Sequence, residues 1–324
     1  MSENPAQTIL VTGTSGYLGS RLAAHLKVQG HAVPDVPGRT AFAALDSTLD
    51  LIWERSRPDA VIHAAFDVDF APRPPKGSPD SLSVANTRAL LDALAQRGAP
   101  PLVFLSAAGI FGVWETDRIR DESAPGACDP AFTGYMDSRY IADKLACEAL
   151  MAGYPGLATT LYLTTVYGPG MQAQVLGPLR KLKGPNPIVP APPGMTSFLA
   201  LSDLLDAVDR VLAQKQAGRF ILSSGNIPYA SLLHSACTVQ GVAGRKTVRV
   251  LPKAARALLA GPLGKKLLGA HDAAVAVSAF GHKIYSIHAA RQALGWFPKA
   301  SLEDALRDAL DPEQEPEPKQ ERQP

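Results

Sequence analysis

The stretch ILVTGTSGYLGSRLAAHL, Ile9 to Leu26, joins an apolar run to an amphipathic one through three glycines, Gly13, Gly16 and Gly19, spaced three apart. Glycine is a poor helix former, so three of them at the mouth of a helix need a reason. At a strand-to-helix junction the first permits a tight turn. The second lets the backbone approach a pyrophosphate, and the third lets the helix pack on a sheet. The helix N-terminus adds unpaired N–H groups and a partial positive charge. The spacing is G-x-x-G-x-x-G rather than the commoner G-x-G-x-x-G, and a glycine trio alone is weak. Its place between the first strand and first helix of an alternating chain makes dinucleotide binding the expectation.

That alternation runs through the first half of the chain. Strands are expected at Thr8–Val11, Ala32–Val36, Ala60–Ala64, Leu102–Ser106 and Ala158–Val166. Helices are expected at Ser20–Gln29, Leu49–Arg57, Ser81–Gln96 and Ser138–Met151, the third stopped by Gly98 and two prolines. Strands alternating with helices imply a parallel sheet covered on both faces. After Gly168 proline and glycine cluster and the rhythm degrades, although Asp203–Lys215 reads as helix and Arg219–Ser223 as strand. The basic, apolar segment 245–271 reads as two short helices. Residues 1–167 are therefore assigned to a nucleotide-binding core and 168–310 mainly to a smaller lobe, with about 197–224 returning to the core. Residues 311–324, rich in Pro, Glu, Gln and Lys, are expected to be disordered.

Composition excludes some partners. A 324-residue chain with 46% hydrophobic residues and a formal charge of +2 can build a full core and has no electrostatic reason to bind nucleic acid. No apolar run is long enough to span a bilayer. The start, MSENPAQ, lacks the layout of a signal peptide. Cys128, Cys147 and Cys237 are odd in number and form no metal spacing. The expectation is a reduced, cytoplasmic, membrane-free protein with no metal.

Chemistry enters with YIADKLACE. Tyr140 and Lys144 lie four apart, on one face of a helix and one turn from each other. A phenol has a pKa near 10 and is a poor acid or base at neutrality. An adjacent ammonium stabilises the phenolate and lowers that value. Bringing it to about 7 takes roughly 4 kcal/mol of differential stabilisation. Tyr140 would then pass a proton to or from a substrate oxygen while hydride moves to or from a nicotinamide.

These motifs, with VIHAA (Val61–Ala65), NTRALLDA (Asn86–Ala93), TTVYGPG (Thr164–Gly170), LSDLLDA (Leu201–Ala207) and ALGWFPKASLEDAL (Ala293–Leu306), occur in a recognisable order. From about Ile9 to Leu310 the chain resembles an extended short-chain dehydrogenase/reductase of the NAD-dependent epimerase/dehydratase family. The resemblance implies a doubly wound Rossmann sheet, a small C-terminal substrate lobe and a homodimer built from two helices per subunit, one carrying Tyr140. It implies cofactor contacts from Gly13, Ser15, Gly16, Tyr17, Leu18 and Gly19 in the loop, from His63, Ala64 and Ala65, and from Tyr140, Lys144 and Thr165. His63 holds a position beside the cofactor and is not read as a base. Asp46 resembles the family aspartate near the adenine, and equally reads as a cap for the helix that follows. Trp296 reads as lobe packing.

The departures matter as much. The family's catalytic Ser or Thr falls four residues before the aromatic of its VYG-like turn; here that turn is IFG and the position is Ala107, with Ser106 one residue earlier. Either the loop slips by one and Ser106 serves, or the hydroxyl is missing. The second strand leads to Arg39 instead of an acid, which favours NADP over NAD through a pairing with the 2′-phosphate. The asparagine usual before VYGPG is Thr165, and no arginine lies near Phe198 to hold a diphosphate. The expected activity is interconversion of a ketone and a secondary alcohol, with NADP(H), or alternatively NAD(H), as cofactor. A nucleotide-sugar epimerase or dehydratase with tightly bound NAD is the alternative. A regulatory protein that keeps the cofactor site but catalyses weakly is the second.

Overall fold

The computed structural model describes residues 5–34, 44–68, 71–75, 77–123, 125–171, 173–183, 188–242, 244, 246–249 and 252–311. In chain order the elements are β1 (Ile9–Thr12), α1 (Tyr17–Val28), α2 (Leu45–Arg55), β2 (Ala60–His63), α3 (Leu82–Gln96), β3 (Leu102–Ala107), α4 (Thr133–Met136), α5 (Arg139–Met151) and β4 (Ala158–Leu163). Then follow β5 (Thr165–Tyr167), α6 (Ala173–Arg180), β6 (Ile188–Ala191), β7 (Met195–Ala200), α7 (Leu201–Gln214), β8 (Gly218–Leu222), β9 (Gly225–Pro228) and α8 (Tyr229–Val239). The chain continues through β10 (Lys246–Arg249), α9 (Pro252–Ala260), α10 (Pro262–Leu268), α11 (Ala270–Ser278), α12 (His288–Leu294) and α13 (Leu302–Leu310).

Five strands form an all-parallel sheet in the order β1-β2-β3-β4-β8. Its strands are apolar on both sides because both sides are covered. Ile9 and Val11 pack with Leu22 and Leu26 of α1 and with Leu204, Val208 and Val211 of α7. Leu10, between them, packs with Leu49 of α2, Leu90 and Leu94 of α3 and Cys147 of α5. This is the doubly wound arrangement. Trp296 belongs to the first of these cores, fully buried, with its indole N–H donating to the Asp203 carbonyl at 3.1 Å. It therefore packs under the main sheet, not within the lobe.

Local signals set the element ends. Ser81 and Ser138 cap α3 and α5, accepting from the N–H groups of Val84 and Ile141. Gly98, at φ +87°, ends α3. At the expected second strand, Ala32 makes one parallel bridge to Thr8, and residues 35–36 lie outside the described residues. The expected strand over 158–166 divides at Thr164, whose N–H and hydroxyl both go to the Leu222 carbonyl at the end of β8. With β8 finished, the chain leaves the main sheet. β5 joins a second sheet, β5-β7-β9, and β6 pairs with β10. Segment 245–271 does hold two short helices, α9 and α10, but a strand, β10, precedes them. Of the expected disordered tail, residues 312–324 lie outside the described residues.

Candidate active site

The C-terminal ends of β1, β2 and β3 bring three segments to one edge of the sheet, where ligands bind in open α/β folds. The glycine loop leaves β1. Gly13 adopts φ +78°, and a Cβ on it would lie 2.6 Å from the Ala65 nitrogen and 2.7 Å from the Ala64 carbonyl carbon. A Cβ on Gly19 would strike the Gly13 carbonyl. The protein's own packing thus accounts for the first and third glycines. It does not account for the second. Gly16 is exposed and extended (φ −91°, ψ 169°), and a Cβ there would have only the Gly13 oxygen within 4 Å, at 3.3 Å. Gly16 is also the N-cap of α1, with no side-chain cap and no acid in the first turn. An exposed, uncapped helix N-terminus suits a phosphate. Ser15 is exposed beside it, while Tyr17 and Leu18 turn back onto the core. Burial pushes the Tyr17 phenol up to about 12, against the opposing charge of Arg21.

His63 ends β2 fully buried, stacked on Phe104 at 5.7 Å. Both ring nitrogens are engaged: Nδ1 with the Thr12 hydroxyl at 2.8 Å and Nε2 with the Thr87 hydroxyl at 3.0 Å. The Thr87 hydroxyl donates onward to the Ser83 carbonyl at 2.8 Å. That leaves its oxygen to accept from Nε2–H, so Nδ1 accepts from Thr12. Burial, and then the Lys144 charge, lower the His63 pKa to about 3. The ring is a neutral brace tying β1, β2 and α3 together.

Tyr140 and Lys144 stand on the first turns of α5, fixed by the Ser138 cap. Lys144 is buried, 4% exposed; its Nζ donates to the Leu105 carbonyl at 2.9 Å and lies 3.5 Å from the Phe66 ring centroid. Desolvation by burial lowers its pKa to about 7. Phe66 also meets Tyr140 edge-on, centroids 5.7 Å apart. The Tyr140 phenol is pushed well above its ordinary value, first by burial and then by Tyr135. The expected lowering by Lys144 is not found: the ammonium is directed to Leu105, 5.9 Å from the Tyr140 centroid, and burial wins.

β3 keeps an unbroken parallel register on β4 from Leu102 to Ala107, so no bulge shifts Ser106 toward the Ala107 position. Ser106 pairs with Tyr162, which packs in the cluster that holds Ile141 and abuts Tyr140. By strand alternation it shares a face with Phe104, whose ring lies 5.1 Å from Lys144 Nζ. Its Oγ is buried and, among the described residues, without a hydrogen-bond partner. Thr165 is exposed on β5. Asp46 sits in the first turn of α2, held at 3.1 Å by Arg97, which also grips Asp50 at 2.6 Å. Arg39 lies outside the described residues.

Two site residues escaped sequence reasoning. Phe66 follows VIHAA directly and could have been found from that motif. Tyr135 could not: nothing in FTGYMDS announces that its hydroxyl would lie 2.7 Å from a Cβ on Gly109, in the turn after β3.

Residues 9–222 match the NAD dependent epimerase/dehydratase family. Over 314 residues the chain is 27% identical to a 3-diazoavenalumate denitrifying reductase from a Streptomyces species, spanning 90% of this chain and 95% of that protein. Its fold is similar to that of RMD from Pseudomonas aeruginosa, solved with NADPH (TM-score 0.68, 21% identity, covering 94% of this chain and 98% of that one). It is also similar to UDP-glucose 4-epimerase from Thermus thermophilus, solved with NAD (TM-score 0.65, 20% identity, covering 94% and 98%). On the match over residues 9–222, two thirds of its length, the chain belongs to the NAD-dependent epimerase/dehydratase family.

Proposed function

We propose that this protein is an NAD(P)-dependent reductase that interconverts a ketone and a secondary alcohol, with NADP(H) as cofactor. The observation that carries the reading is the Tyr140–Lys144 pair on α5, with a phenol kept protonated by burial at the sheet edge that also holds the exposed Gly16. A phenol protonated at neutrality holds the proton that ketone reduction needs; burial alone makes it a weaker acid, so its release depends on stabilisation of the phenolate by the neighbouring Lys144 charge. RMD, solved with NADPH, and the Streptomyces reductase support a redox reading.

The exposed Gly16, the uncapped end of α1 and the buried Lys144 ammonium fit a dinucleotide. Gly13, Ser15, Gly16 and the first N–H groups of α1 would hold its pyrophosphate, and Lys144 its nicotinamide ribose. When bound, the nicotinamide supplies or accepts hydride. Tyr140 gives its phenolic proton to the carbonyl oxygen of the substrate. Lys144, one turn away, would stabilise the phenolate left behind once its ammonium turns from the Leu105 carbonyl toward Tyr140, and Phe66 packs against both. Ser106 is the hydroxyl available on the same face to bind the substrate oxygen. Residues 1–167 would supply this chemistry, the smaller lobe the substrate, and α3 and α5, which pack side by side, the two helices of a homodimer.

The test is oxidation of NADPH and NADH, followed by the loss of reduced-nicotinamide absorbance, across a ketone panel. NADPH should be preferred, and Arg39→Ala should reduce that preference. An ion pair to the 2′-phosphate is worth on the order of 1–3 kcal/mol. An enzyme that epimerises a nucleotide sugar without consuming cofactor would contradict the reductase reading.

A further inference from the structure

A second lysine–tyrosine cluster lies beyond Tyr135. Lys283, between α11 and α12, is pinned at the backbone: its N–H donates to the Met195 carbonyl at 2.9 Å, and its carbonyl accepts from the Ser197 hydroxyl at 3.0 Å. Its neighbour His282 bridges to both Trp114 and Met195. The side chain is partly buried. Nζ donates to the Ser278 hydroxyl at 3.0 Å and lies 4.9 Å from the Tyr135 ring centroid and 5.6 Å from that of Tyr229. Among the described residues it makes no ion pair. Burial pulls its pKa down, but the Tyr229 and Tyr135 hydroxyls beside it outweigh that and hold it above the usual lysine range.

A partly buried ammonium held in its charged form, with no carboxylate paired to it among the described residues, keeps its charge to attract an anion. One ammonium flanked by two phenols offers one charge and several donors, which matches a carboxylate, a monoanion with two oxygens. The cluster is joined to the chemistry through Tyr135, which adjoins Lys283 on one side and packs with Tyr140 against the same hydrophobic cluster on the other. We propose that Lys283, with Tyr135 and Tyr229, binds a carboxylate on the substrate, so that the reacting carbonyl reaches Tyr140 while the acid group stays anchored at Lys283. This rests on the reductase reading and names its substrate class: oxo acids.

The test pairs 4-oxopentanoate, 5-oxohexanoate and 4-acetylbenzoate with their methyl esters, using the full chain. Calorimetric titration should show the best-fitting acid binding at least tenfold more tightly than its ester. NADPH-dependent turnover should show the same preference in kcat/KM. Lys283→Met should erase the acid-over-ester ratio in both, Lys283→Arg should keep most of it, and Tyr229→Phe should reduce it. Circular dichroism checks that each variant folds. Equal binding of acids and esters by the wild type, or an unchanged ratio in Lys283→Met, overturns the proposal. A carboxylate preference that Lys283→Met abolishes, with no turnover of any ketone, supports the anion site and overturns the reductase reading alone.

Discussion

Lys144 Nζ donates to the Leu105 carbonyl at 2.9 Å while lying 3.5 Å from the Phe66 ring, so its charge is buried against one dipole and one aromatic face. Stability is sacrificed for this placement. Burial lowers the Lys144 pKa to about 7 from 10.5. Between those values the unfolded chain holds the proton and the folded one has released it, so stability rises with pH through that window. Below pH 7 the penalty is complete, on the order of 3–5 kcal/mol. Cofactor-free Lys144→Met should therefore be more stable than wild type at pH 7 in urea unfolding, with the difference shrinking toward pH 10. A wild-type curve flat between pH 7 and 10 would contradict this.

His63 gives the opposite end of the pH scale. Its pKa is lowered to about 3 from 6.5, first by burial and then by Lys144. The unfolded chain therefore takes up a proton that the folded one refuses, and stability falls as pH drops from 6.5 toward 3. His63→Asn should flatten that fall. At pH 7 it should cost about 1–3 kcal/mol, because it disturbs the Thr12 and Thr87 hydrogen bonds. Guanidinium unfolding at a series of pH values measures both effects.

The three glycines should separate by phenotype. A Cβ at Gly16 meets the Gly13 oxygen at 3.3 Å; Gly16→Val should keep the melting temperature within a few degrees and lose at least tenfold in NADPH affinity by fluorescence titration. Gly13→Ala combines a positive φ with a collision against Ala64 and Ala65, and should destabilise the fold by more than about 2 kcal/mol. Unchanged NADPH affinity in Gly16→Val would remove the phosphate-loop assignment.

Much of this was legible in the sequence. Strand-to-helix alternation located β1 to β4 of the main sheet and a later apolar run located β8, while the expected helices 81–96 and 138–151 match α3 and α5 to within a residue, because these signals are local. The division of the strand at Thr164 was not legible, since it depends on where β8 ends some sixty residues later. The Tyr140–Lys144 spacing revealed the pair but not its electrostatics. Those are set by Phe66, Leu105 and Tyr135, which only the fold brings near. Lys283 carries no motif and gains meaning only from Tyr135 and Tyr229.

Tyr140→Phe tests the central claim most directly. The ring still packs against Phe66, and only the hydroxyl is removed. Single-turnover hydride transfer from NADPH to a ketone substrate should slow at least a hundredfold, with NADPH affinity within twofold of wild type. A Tyr140→Phe enzyme that transfers hydride as fast as wild type would contradict the account.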